Sequence, residues 1–439
     1  MKNKVLSNAF WLIGMQIIRA IIAFFISMLT ARYLGPSNYG TINYAASLVS
    51  FLSPVMYLGF NSVLVQELIE NPNQEGKVLG TTIGYSLISS LICILGIYCF
   101  VSIANKGEYE TQIVCLLYST LLLFQSMDLI QYWFQAKLLA KYSSVVTLVA
   151  YLVVSLYKFY LLLSNKNIYW FSLSMAFEYA LVSLLLIVVY KKLNGQQLKF
   201  SIKLGTKILQ KSRYYIVSSM MVAISTQIDR VMLKVMINEA ATGYYSVAVT
   251  CASMTSFVFV AIIDSFRPVI FEEKIKNETE YRNNLRMLYS IEFYLSLLQS
   301  IVISIFAPMI IRIIYGIDYL QSIPILRIVV WYTTFSYFGA IRNIWILAEK
   351  KQRYLWIINV CSALVNIITN AFFIPIWGVC GAAVASLISN FITIVLIGYI
   401  IQPIRENNVI MKEAMNPLFL LRSTKSLMDT LLRKRNNKM

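Results

Sequence analysis

The chain has 439 residues, 58% of them hydrophobic, with a formal net charge of +18 and a mean hydropathy of +0.67. The apolar residues come in blocks long enough to cross a bilayer, which excludes a soluble domain and leaves a polytopic, all-α membrane protein. The basic excess then reads as loops that hold helix ends at the cytoplasmic face, not as a surface for nucleic acid.

There is no histidine, so His metal sites, His general bases and a Ser–His–Asp triad are excluded. The six cysteines, Cys93, Cys99, Cys115, Cys251, Cys361 and Cys380, lie in apolar segments without a Cys-x-x-Cys pair and read as small hydrophobes. No Gly-rich phosphate loop is present, and the outer loops are short, so neither an ATPase nor a membrane glycosyltransferase is expected. No metal is expected.

The short polar stretch 1–7 leads into an apolar run too long for a signal-peptide core, so the first span is expected to remain. Twelve spans are predicted, at 9–33, 41–61, 79–103, 111–135, 144–164, 168–190, 213–236, 243–267, 287–311, 323–347, 354–374 and 379–401. An even number returns both termini to one side. Of the 38 Lys and Arg, 28 fall at that side, four at the other and six within spans. That asymmetry places both termini in the cytoplasm. The basic stretch 191–212 divides an N-terminal six-helix lobe, 1–190, from a C-terminal one, 213–401, and 402–439 form a basic tail. Within that tail Leu420, Leu421, Leu427 and Leu431, flanked by Arg422, Lys425 and Arg433, suggest an interfacial helix; a solvated tail is nearly as consistent. Aligning Gly40 with Gly243 also aligns Ala45 with Ala248, a short signal of a parallel repeat about an axis along the membrane normal.

A charge in hydrocarbon costs roughly 2.5–3.5 kcal/mol on insertion scales, so each intramembrane charge is a functional candidate. Asp229 and Arg230 stand together in span seven. Arg19 lies about eleven residues into its span, roughly 16 Å deep at 1.5 Å per residue, and shares a stripe with Gln16, Ala23, Ser27 and Thr30. Ser218, Val222, Ser225 and Asp229 share one face of span seven, and Ser246, Thr250, Ser253, Phe257 and Asp264 one face of span eight. Such stripes suit a wet cavity, although small and polar residues also pack membrane helices. Lys158, Lys234, Arg327 and Arg342 lie near span ends, where snorkelling anchors are the plainer reading. Asp128, Glu178, Asp264 and Glu292 are candidate proton or sodium sites, or ion-pair partners.

The pattern Asp229-Arg230, Leu233, Gly243-x-Tyr245-x-x-Ala248 resembles the midchain signature of the polysaccharide-exporter branch of the MOP flippase superfamily. Arg32-Tyr33-Leu34-Gly35-Pro36 with Tyr39-Gly40 is similar to that family's first outer turn. Asp128, Trp133, Phe134 and Gln135 resemble its fourth helix, where Ala136 stands in place of the usual Gly. Asn359, Asn366 and Asn370, followed by Ile374-Pro375-x-Trp377-Gly378-Val379-x-Gly381-Ala382-Ala383, resemble its last two helices. The subgroup it resembles is the Wzx-type O-antigen or capsule repeat-unit flippase.

The resemblance implies two six-helix lobes, MATE-like, that rock around a central cavity in a bacterial inner membrane. It implies a lipid-linked oligosaccharide as substrate, no cofactor beyond a coupling proton or sodium ion, and a polysaccharide polymerase and chain-length regulator as further partners. A pyrophosphate head needs cations in a low-dielectric cavity, which Arg19, Arg230, Lys158 and Arg342 would supply. Asp229, Glu178, Asp128 and Asp264 would serve ion coupling or pairing. The alternative of the same superfamily is a multidrug or cation antiporter, which would favour an acidic cavity.

Overall fold

The computed structural model describes residues 2–417, with side chains from Ile18 onward. The interfacial helix expected around Leu420–Leu431, and Gln16 of the first stripe, lie outside what is described. No strand occurs among the described residues. The helices are α1 (Lys2–Met56), α2 (Leu64–Glu70), α3 (Glu75–Ala104), α4 (Tyr109–Ala136), α5 (Ala140–Leu163), α6 (Ile168–Lys192), α7 (Ile202–Met236), α8 (Glu239–Ala252), α9 (Ser256–Lys276), α10 (Glu278–Ile314), α11 (Ser322–Ala348), α12 (Leu355–Phe391) and α13 (Arg405–Ala414). Eight of the described helical stretches are long and apolar enough to cross a bilayer, nine if α8 and α9, bent by 49°, form one span. Two of them are double, and α11 is a further helix of 27 residues, which is compatible with twelve spans.

The double helices break at a single glycine. Gly35 adopts φ 72°, ψ 174°, and Pro36 starts the next arm. A positive φ suits glycine, and the residue before a proline is driven out of helical geometry, so two residues make the turn. The seven-residue outer loop expected after the first span is thus not needed. The arms α1a (2–34) and α1b (36–56) are held side by side by a 2.7 Å hydrogen bond between Ser27 and Tyr39. Gly378, at φ 57°, divides α12 into α12a (355–377) and α12b (379–391), which runs on through a π turn at Ile392–Leu396 to Ile400.

Two other departures from expectation have local causes. Helix α7 begins eleven residues before the predicted span. Residues 202–212 are amphipathic: Gly205, Ile208 and Ser212 bury against the N-terminal lobe, while Lys203, Lys207 and Lys211 face out. The lysines lowered the local hydropathy that the span boundary rested on. The α8–α9 bend carries no proline. Instead Gln299 of α10 donates to the Ala252 carbonyl at 3.1 Å, where the helical ladder ends. A side chain that takes a ladder carbonyl is a recognised cause of a kink.

The packing shows which end is open. One core joins the lobes at the end away from the basic loops: Ala31, Leu34 and Tyr39 pack with Leu233, Tyr245 and Tyr319. Tyr319 also donates to the Ala31 carbonyl at 2.8 Å. At the basic, inner end each lobe has its own core, around Phe134 and Leu186 in the first and around Phe338 and Trp345 in the second. The lobes therefore close at the end away from the basic loops and have separate cores at the basic end. The linker does not float between them. Lys199 N donates to Gly76 O and Ser201 N to Thr81 Oγ1, both at 3.1 Å, which ties it to α3. In the second lobe α13 occupies the corresponding place, with Asn407 accepting from Tyr289 at 3.0 Å.

Candidate functional site

Inside the N-terminal lobe, α1a, α1b, α4, α5 and α6 enclose a cavity of about 310 Å³. Its wall carries the polar stripe of the first span, Arg19, Ala23, Ser27 and Thr30, with Asn43 of α1b. Arg19 donates to Glu178 Oε1 at 2.6 Å and lies over the Tyr151 ring, 5.0 Å from its centroid. Glu178 is nearly sealed from solvent (2% exposed), whereas Arg19 keeps 42% of its side chain accessible. The second carboxylate oxygen, Oε2, has no hydrogen-bond partner among the described residues. Lys158 also lines this cavity, its ammonium 3.4 Å from the Met175 sulfur. It points inward rather than snorkelling to an interface, against the anchor reading. Two basic side chains and one carboxylate thus line the cavity. This cavity lies within one lobe.

Asp229 and Arg230, adjacent in sequence, face apart because successive helical residues are turned by about 100°. Asp229 is buried against α12. Its Oδ1 accepts from Asn370 at 2.6 Å, and its Oδ2 accepts from Tyr245 and Ser386, each at 2.6 Å. Asn370 also donates to Asn366 Oδ1 at 3.0 Å, while its own Oδ1 lacks a partner. The result is an oxygen-rich cluster with one formal charge. Arg230 turns to the seam between lobes, where it donates to Ser246 at 3.1 Å and to Gln227 Oε1. Gln227 in turn accepts from Ser47 of α1b at 3.3 Å.

The structure takes Arg342 out of the substrate cavity. It is 4% exposed inside the C-terminal lobe, and its NH1 donates to the Thr393 carbonyl at 2.7 Å. Thr393 lies in the π turn, where the helical register slips and carbonyls lose their regular donors. Arg342 thus serves helix packing and is neither ligand nor anchor. Replacing a buried, hydrogen-bonded charge by an apolar side chain of similar length is often close to neutral. Arg342→Met is therefore expected to keep transport within about twofold of wild type, whereas a cavity cation would lose an order of magnitude or more. Transport at matched protein level reads the difference.

Asp264 pairs with Arg267 at 2.9 Å on a half-exposed face of α9, and Asp128 accepts from Gln131 at 2.6 Å; neither lines the cavity. Arg327 reaches the Ser304 carbonyl at 3.2 Å, as an exposed anchor would. Glu292 is fully buried in the C-terminal lobe. Lys234 reaches the outer face and bridges Glu108 at 2.6 Å and Glu239 at 3.0 Å. Glu108 belongs to the first lobe's outer turn, so this pair crosses the seam. Burial works against its ionised form, yet hydrogen bonds from Lys234, Thr111 and Asn105 hold its carboxyl below the usual glutamate range. Stability from this pair is present at neutral pH and is lost only as pH falls through that lowered value.

Tyr245, Ser386, Tyr151 and Met175 were missed as site residues. Asn366 and Asn370, four apart on one helical face, and Tyr245, in the same motif as Asp229, were the sequence signals that lay in Asp229's surroundings.

A family model described as polysaccharide biosynthesis protein matches residues 5–274. The capsular polysaccharide biosynthesis protein CapF of Staphylococcus aureus is 21% identical over 395 residues, covering 87% of this chain and 95% of that protein. Among solved structures, the inward closed conformation of the lipid II flippase MurJ superposes with a TM-score of 0.71 at 18% identity, covering 93% of this chain and 92% of that one. An inward-facing multidrug resistance MATE family transporter of the MOP superfamily gives 0.64 at 13% identity over 90% and 96% of the two chains. An outward-facing one gives 0.58 at 12% identity over 92% and 96%.

Proposed function

Because the chain belongs to the polysaccharide biosynthesis protein family, within the MOP superfamily, we propose that it is a flippase for undecaprenyl-pyrophosphate-linked oligosaccharide repeat units of O-antigen or capsule type. It is a transporter and not an enzyme. It carries its substrate from the cytoplasmic to the outer leaflet of the bacterial cytoplasmic membrane by alternating access, with both termini in the cytoplasm. The observation that carries this reading is the pair of basic side chains, Arg19 and Lys158, that share one cavity with the single carboxylate Glu178. A pyrophosphate brings about two or more negative charges into low dielectric and requires cations that remain reachable. Arg19 meets that need, because its guanidinium is held by Glu178 yet still accessible. With the cell interior negative, an anion moving outward gains roughly 2.3 kcal/mol per charge per 100 mV.

The multidrug or cation antiporter reading draws on the MATE likeness and on the buried Asp229 and Glu178. The two basic side chains in the cavity favour an anionic substrate instead.

The Asp229 cluster suits the coupling ion. Oxygens of Asp229, Asn366, Ser386 and Tyr245 gather there around the Asn370 amide nitrogen, and hard oxygen donors match a proton or a sodium ion. Asp229→Asn is expected to make transport insensitive to imposed proton or sodium gradients. If wild-type transport already ignores both gradients, the coupling role fails. A polysaccharide polymerase and a chain-length regulator are the further partners of such a pathway.

The function itself is tested in cells that lack their own repeat-unit flippase. Expression of this chain is expected to restore surface polysaccharide for at least one matching repeat unit. Failure across a panel of repeat units, at normal expression, would overturn the reading.

A further inference from the structure

In the cavity of the N-terminal lobe, Lys158 has only a weak acceptor and Glu178 has a bare oxygen. Lys158 Nζ lies 3.4 Å from the Met175 sulfur, and a thioether accepts poorly. Glu178 gives Oε1 to Arg19, while its Oε2 has no hydrogen-bond partner among the described residues. The Glu178 side chain is 2% exposed, so water does little for that oxygen. The lysine and the bare oxygen stand about one turn apart. Met175 and Glu178 are three residues apart on α6, a rise of about 4.5 Å, and both line the cavity. Arg19 comes from the other side. It lies over Tyr151, which stands seven residues before Lys158 on α5 and so nearer the basic end. Glu178 is thus placed between Arg19 on the basic side and Lys158 behind it.

We infer that Lys158 moves onto Glu178 Oε2 when a pyrophosphate engages Arg19, and so serves the head without touching it. The inference rests on the flippase reading above. A guanidinium between a carboxylate and a pyrophosphate faces two anions, and Glu178 then repels the head that Arg19 attracts. A donor on the second carboxylate oxygen weakens that repulsion and lets Arg19 turn its N–H groups to the head. Lysine suits the task. Its four-carbon stem is flexible, its nitrogen can donate in several directions, and the sulfur holds it only weakly.

The test is binding of a pyrophosphate-linked oligosaccharide on a geranyl chain by full-length protein in nanodiscs. Wild type, Lys158→Met, Glu178→Gln and the double variant are compared. Lys158→Met is expected to bind about tenfold more weakly than wild type. In the Glu178→Gln background the same substitution is expected to change binding by less than about twofold, because no carboxylate is left to cover. The substrate-free thermal midpoint of Lys158→Met is expected to match wild type, because Arg19 still pairs with Glu178. A similar loss in both backgrounds would make Lys158 a direct ligand of the pyrophosphate and overturn the inference. Unchanged binding by Lys158→Met would overturn it, and so would a fall in the substrate-free midpoint large enough to account for the lost binding. If wild type binds no pyrophosphate-linked oligosaccharide, on a geranyl or an undecaprenyl chain, the flippase reading falls and takes the inference with it.

Discussion

Arg19→Ala is expected to cut glycan export at least tenfold and to lower thermal stability, and adding Glu178→Gln is expected to restore the stability but not the export. The stability effect follows from burial. Glu178 is 2% exposed, and Arg19 is the cation that bonds it. Removing one partner of a buried pair leaves an uncompensated charge, at a cost of about 3–5 kcal/mol. Arg19's own accessibility trims that figure toward its lower end. The Gln substitution removes the stranded charge and keeps the shape of the side chain, so most of the loss should return. Export should not return, because the double variant still lacks the guanidinium that meets the pyrophosphate. Loss of one well-placed, charge-assisted bond of about 1.5–3 kcal/mol corresponds to roughly tenfold or more in rate. The thermal midpoint and the export rate of the three chains therefore separate the two roles. Wild-type export by the double variant would reduce Arg19 to a partner of Glu178.

Gly40→Leu or Gly243→Leu is expected to hold the outer end open and to abolish export. These glycines are where the lobes touch backbone to backbone. A Cβ on Gly40 would land on the Glu239 carbonyl, and one on Gly243 would land on the Pro36 carbonyl. Each carbonyl lies four residues before the other glycine, so the contact is reciprocal, as a two-fold axis through the seam requires. That is the geometry the alignment of Gly40 with Gly243 implied. Neither obstruction is a flexible side-chain end, so relief requires the helices to separate. Overpacking typically costs about 1–3 kcal/mol, which shifts the closed population by roughly five- to 150-fold. The Lys234–Glu108 bridge and the Tyr319–Ala31 hydrogen bond sit beside this seam and would part with it. Spin labels at the exposed positions Lys166 and Asp318 read the outer separation. A longer distance with lost export is expected; an unchanged distance would mean that the glycines are not the closing contact.

Much of the architecture was legible in the sequence because hydropathy and turn chemistry act locally. Apolar blocks marked the spans, and Gly35-Pro36 marked a turn. The breaks at Ala252 and at Thr393 were not legible. They arise from Gln299 and from Arg342, each distant in sequence and each taking a carbonyl that no local pattern exposes. The same limit governs the site. The stripe Arg19, Ala23, Ser27 and Thr30 was visible as a helical face, and it lines the cavity. Its partner Glu178 stands 159 residues away, so the pairing could be listed only among several acids. Helical spacing put Asp229 and Arg230 on different faces, and the rotation sends one into the C-terminal lobe and the other to the seam, but the partners each meets there lie far off in sequence. Arg342 was misread for the converse reason: nearness to a span end says nothing about which way a long side chain turns.

The measurement that bears most directly on the central claim is leaflet exchange by the purified chain. Vesicles reconstituted with full-length protein would carry a fluorescent undecaprenyl-pyrophosphate-linked oligosaccharide, and loss of fluorescence to an impermeant reductant would report transfer between leaflets. The cation-cavity flippase predicts transfer that depends on the protein and falls at least tenfold in the stable Arg19→Ala/Glu178→Gln variant. Protein-dependent movement of a cationic drug, with no movement of any pyrophosphate-linked glycan tried, would contradict it.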